Sequence, residues 1–76
     1  MQMFAPPMPN AKWCDAMFTA KATLTGGVIR RAVRDVEREI GRAAFEREVR
    51  IRGFHLVEVG GQFIVICNAG QLKLIC

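Results

Sequence analysis

Two adjacent glycines, Gly60 and Gly61, separate two β-type runs, Phe54–Val59 and Gln62–Cys67. A two-residue loop that tolerates positive φ at both positions is a strong local signal for a hairpin. It also sets a register in which Val59 faces Gln62, Val57 faces Ile64 and His55 faces Ile66. A third run, Gln71–Cys76, follows Asn68-Ala69-Gly70, where Gly70 suits a left-handed bulge position. The spacing predicts an antiparallel meander over 54–76 with Gln62–Cys67 in the middle.

Side chains alternate between the two faces of a strand. With a three-residue second loop, one face carries Val57, Val59, Ile64, Ile66, Leu72, Leu74 and Cys76. The other carries Phe54, Leu56, Phe63, Val65, Cys67 and Ile75, with Glu58, Gln71 and Lys73 among them. The first face is the expected seat of a helix. The second is too apolar for a solvated side, so Phe54, Leu56, Phe63 and Val65 form a candidate apolar interface. Its cover is either the N-terminal segment with Trp13, Met17 and Phe18, or a second copy or partner protein.

A principal helix is expected over 26–41. Thr25 suits its N-cap, and Ile29, Ala32, Val33, Val36, Ile40 and Ala43 fall on one stripe at about 100° per residue. Gly41 can end it as a left-handed residue after Ile40. Phe45 and Val49 lie off the stripe, so the helix stops or bends near 41–44. Residues 46–52 read either as an edge strand, a possible fourth for the sheet, or as helix running to a cap at Gly53. Residues 10–24 fit a short helix capped by Asn10, or a strand. Residues 1–9, with three prolines, read as an extended arm.

A chain of 76 residues buries only about 60% of the surface its unfolded form exposes. The expectation is therefore a single α+β domain over 1–76: two layers, with one principal helix on a three- or four-stranded antiparallel meander. Three cysteines, Cys14, Cys67 and Cys76, form no CxxC pair and no cluster with His55, the one histidine. They read as free thiols in a reducing compartment, Cys67 and Cys76 as small buried hydrophobes, with no metal site or cofactor. The start has no basic segment followed by a long apolar run, and no stretch reaches the ~18–20 apolar residues of a membrane span. A cytoplasmic protein without a membrane partner is expected.

His55 has no nucleophile or carboxylate placed beside it, since Glu58 alternates to the other face. The glycine pairs belong to neither a P-loop nor a dinucleotide fingerprint. No catalytic residue is assigned, and the chain reads as not an enzyme. The formal charge is +4, and Arg30, Arg31, Arg34, Arg38 and Arg42 share the side of the expected helix opposite its apolar stripe. They form either a solvated face with intrahelical ion pairs or a basic stripe that meets phosphates or an acidic protein. Acids flank them and no aromatic side chains interleave. The function classes left are a small inhibitor or adaptor that binds a protein or nucleoprotein complex, and a direct nucleic-acid binder using the arginines. Phages and other mobile elements encode inhibitors of the first kind, anti-CRISPR proteins among them. A homodimer is compatible with either class.

Overall fold

The computed structural model describes residues 10–76; the expected arm over 1–9 lies outside the described residues. The elements run in the order α1 Ala11–Phe18, α2 Lys21–Leu24, β1 Val28–Ala32, α3 Val33–Glu39, α4 Arg42–Ile51, β2 His55–Val59 and β3 Gln62–Ile66. The strands form a three-stranded antiparallel sheet in the order β1-β3-β2. The fold is α+β, as expected.

Each helix has a local cause. The Asn10 side chain accepts the Trp13 N–H at 3.2 Å and caps α1, which buries Cys14, Met17 and Phe18 at three- and four-residue spacing. This resolves the first part of 10–24 as helix. The helix over 33–39 ends at Ile40, and Gly41 follows at φ +86°, its N–H bonded to the Val36 carbonyl at 2.9 Å. The same carbonyl also takes the Ile40 N–H at 2.9 Å, and the left-handed residue turns the chain out of the helix. The chain restarts as α4, which buries Phe45 and Val49, and Gly53 at φ +72° follows its end. Residues 46–51 are thus helix, not an edge strand, because a helix carries Phe45 and Val49 inward together.

The hairpin has the expected register, with Val59 opposite Gln62, Val57 opposite Ile64 and His55 opposite Ile66. The third strand is not the expected one. Val28–Ala32, assigned to the principal helix over 26–41, instead pairs with β3, placing Val28 opposite Ile66 and Arg30 opposite Ile64. Gln71–Cys76 forms no strand and is exposed throughout. The two segments compete for one edge of β3. The first sets the β-branched pair Val28-Ile29 after Gly26-Gly27, a poor helix start, and seals Ile29 against the core opposite Val65. Thr25 accordingly closes α2, its N–H and hydroxyl both donating to the Lys21 carbonyl at 3.0 Å, rather than opening a helix. The apolar stripe read as one helix is divided: Ile29 is buried from β1, and Val36 and Ile40 from and just beyond α3.

The helices cover the sheet face opposite to the one expected. Ile29, Phe63, Val65 and Cys67 are buried beneath Cys14, Met17, Phe18, Val36, Ile40, Phe45 and Val49, with Trp13, Phe54 and Leu56 packed against them. Phe63 and Val65 are therefore core, with Phe54 and Leu56 packed against it, and part of their cover is the N-terminal segment with Met17 and Phe18, the first of the two covers expected, rather than a partner. The physical reason is bulk: this face carries Phe63, with Phe54 beside it, and burying aromatic rings removes the most apolar area from water. The Phe45 ring lies 5.2 Å from that of Phe63 and 6.4 Å from that of Phe18, measured between centroids.

Phe45→Ala should cost about 3–5 kcal/mol of unfolding free energy in a denaturant titration, because the fully buried ring joins helix to sheet. Truncation after Gly70 should leave the far-ultraviolet dichroism and denaturation midpoint nearly unchanged; loss of sheet signal would place 71–76 in the sheet.

Candidate interaction surface

With the helices on one side, alternation assigns the other side of the sheet to Val28, Arg30 and Ala32 from β1, Gln62, Ile64 and Ile66 from β3, and His55, Val57 and Val59 from β2. None of these side chains is buried. Val28 is 57% exposed and Val59 60%, while Val57, Ile64 and Ile66 are half-buried by one another. This outer face is aliphatic at its centre and has no layer over it among the described residues. The described aromatic side chains belong to the opposite face: Phe18, Phe45 and Phe63 are buried, with Trp13 and Phe54 packed against them.

The sequence reading missed this surface because it gave Val57, Val59, Ile64 and Ile66 to the core. The available signal was Gly26-Gly27 followed by Val28-Ile29, a strand opening. Recognising β1 there removes the long helix that would have covered the outer face.

The five arginines expected on one helix side are spread over three elements. Arg30 and Arg31 lie on β1, Arg34 and Arg38 on α3, and Arg42 opens α4. Arg38 pairs with Asp35 and Glu39, both at 3.3 Å. Arg42 grips Glu58 with two nitrogens, at 2.8 and 3.2 Å, lies 3.6 Å from Glu37, and sets its guanidinium 5.0 Å from the Phe63 ring centroid. The Arg42 hydrogen bond holds the Glu58 carboxyl below the usual carboxylate range. Arg52, outside the expected set, pairs with Glu48 at 2.8 Å over the Phe18 ring. Of the five expected, Arg30, Arg31 and Arg34 make no ion pair among the described residues. They cluster where β1 passes into α3.

A shallow groove lies between α4 and β2, lined by Arg42, Glu46, Arg50, His55 and Glu58. His55 and Glu58 thus border one groove despite their opposite strand faces. Both are engaged: Glu58 by Arg42, and His55 through Nε2, 2.5 Å from the Gly70 carbonyl, to which it donates. No three of the described His, Cys, Asp and Glu side chains form a group that could hold a metal ion. No helix among the described residues is long and apolar enough to cross a membrane.

The three cysteines are free. Cys67 is buried as expected, but Cys76 is exposed, because 71–76 does not join the sheet. Burial, with the Glu48 charge adding and Arg52 opposing, pushes the Cys14 thiol up to about 11. The folded protein then holds a proton that the unfolded chain, titrating near 9.0, releases. Unfolding free energy should fall as pH rises from about 9 to 11, and Cys14→Ala should flatten that slope in denaturant titrations across the range. The chain has no tyrosine to obscure the effect. Equal slopes for both proteins would contradict the assignment.

Comparison with protein-family models, with curated proteins and with solved structures finds no match to this chain.

Proposed function

We propose that the chain is a non-enzymatic binding protein that engages a protein partner through the outer face of its sheet, acting as an inhibitor or adaptor. The observation that carries this reading is the aliphatic outer surface centred on Ile64, with Val28, Val57, Val59 and Ile66 around it and no cover among the described residues. Exposed contiguous apolar surface marks interaction sites, and aliphatic side chains flanked by Arg30 and His55 suit the apolar core and polar rim of a protein interface. His55 and Glu58, the acid–base candidates of the groove, already engage Gly70 and Arg42. Three free thiols, one exposed, fit the reducing setting of the cytoplasm.

A second reading, direct nucleic-acid binding, is favoured by Arg30, Arg31 and Arg34, whose charges have no carboxylate partner among the described residues. It is the weaker of the two. A sheet that binds single strands offers several aromatic rings for bases to stack on, and among the described residues this outer face carries no Phe or Trp, only the His55 imidazole at its edge.

Site-specific photo-cross-linking in cells of the protein's source separates the readings. A photoreactive side chain at Ile64 should capture one discrete protein, and the same group at Ala16, on the exposed side of α1, should not. Ile64→Glu should abolish capture from a neighbouring outer-face position such as Val57. Capture of nucleic acid at Ile64, or equal capture at Ala16, would defeat the proposal.

A further inference from the structure

The hydrogen-bond pattern defines what the free edge of the sheet offers. The Cys67 N–H donates to the Gly27 carbonyl at 2.9 Å, and the Val33 N–H to the Gly61 carbonyl at 2.9 Å. In an antiparallel ladder residues alternate between those bonded to the neighbour and those turned away. Gly27, Ile29, Arg31 and Val33 therefore face β3, and Val28 and Arg30 direct their N–H and C=O groups outward, as Ala32 does its N–H; the Ala32 carbonyl, at the N-cap of α3, takes the first bond of that helix. β1 is an edge strand, so no other strand among the described residues takes these groups. The Arg30 carbonyl is instead met by a guanidinium nitrogen of its neighbour Arg31, at 2.8 Å.

Three of the cations without an ion pair among the described residues stand at this edge. Arg30, Arg31 and Arg34 stand on and just after β1, while the nearby acids are engaged elsewhere: Asp35 and Glu39 with Arg38, and Glu37 with Arg42. Such an edge disfavours a second copy, since antiparallel pairing of two β1 strands centred on Arg30 would set arginine against arginine. An extended segment of opposite sign meets both needs: its backbone completes the outward ladder, and its carboxylates meet the guanidiniums.

We propose that β1 is a docking edge for an extended acidic segment of a protein partner, added as a fourth strand beside Val28–Ala32. The proposal rests on the outer-face reading, which it deepens by naming the partner's chemistry. The preferred segment alternates apolar and acidic residues. Its apolar side chains continue the outer face beside Val28, and its carboxylates, which alternate to the other face, meet Arg31.

One substitution isolates the backbone. Ala32 has φ −65°, ψ 136°, a conformation proline adopts without strain, and its N–H is among those turned outward. Ala32→Pro removes one outward donor while leaving the β1–β3 ladder intact. The probe is a fluorescein-labelled peptide of alternating valine and glutamate, followed by anisotropy. Wild-type protein should bind it, and amide exchange at Val28 and Arg30 should slow on binding. Ala32→Pro and Arg31→Glu should each weaken binding about tenfold or more. A valine–lysine peptide should not bind. Circular dichroism and thermal melts should show Ala32→Pro folded; if it is not, protection of the Val28 and Arg30 amides in the wild type decides instead.

Binding that Ala32→Pro leaves intact, with no amide protection, would overturn strand addition. The outer-face reading would survive that result if cross-linking at Ile64 persisted. An oligothymidylate that displaces the peptide and protects no β1 amides would overturn both.

Discussion

The central strand β3 is apolar on both sides, and the described helices cover only one of them. Phe63, Val65 and Cys67 point into the core, and Ile64 and Ile66 point out of it. A strand of this composition would ordinarily lie between two layers. Everything distinctive about the molecule follows from that mismatch. The side with the phenylalanine takes α1, α3 and α4, and the outer side keeps a surface that water wets poorly.

Filling the second edge of β3 decides the rest. The hairpin occupies one edge, and Val28–Ala32 occupies the other. Once it does, the material for a long helix is gone, the arginines divide between strand and helices, and Gln71–Cys76 has no place beside β3. The tail is held at its start by His55 and Gly70 and then lies exposed, with Leu74 and Ile75 at 87% and 75%.

Legibility in the sequence followed the range of the interactions. The hairpin register rests on contacts within a few residues and was readable; the Gly41 break and the Asn10 cap, equally local, were among the alternatives the sequence offered. The choice between two strands for one edge of β3 was not readable, because Val28–Ala32 and Gln71–Cys76 both alternate and the winner is set by Ile29 meeting Val65, a contact between residues distant in sequence. Ile29, Val33, Val36 and Ile40 kept a helical period although the first lies on a strand; a short strand leading into a helix can deliver the same residues to the same core. The inversion of the faces followed from that one substitution of elements. Of the candidate site, the arginines were identified but their geometry was not, since Glu58, which neutralises Arg42, comes from the strand that α4 packs beside.

The proposed binding role rests on the outer face and the edge beside it. The core is closed and aromatic, the outer face is aliphatic with no layer over it among the described residues, and the adjoining edge carries outward backbone groups beside Arg30 and Arg31, which make no ion pair among those residues. The account stands on the outer face being open to solvent in the isolated protein. Methyl relaxation enhancement by a soluble paramagnetic agent measures this directly. The account expects strong broadening of the Val28, Val57, Val59, Ile64 and Ile66 methyls and little of those of Ile29, Val36, Val49 and Val65. Ile64 and Ile66 methyls as protected as those of Val65 would mean that the face is already covered, and would contradict it.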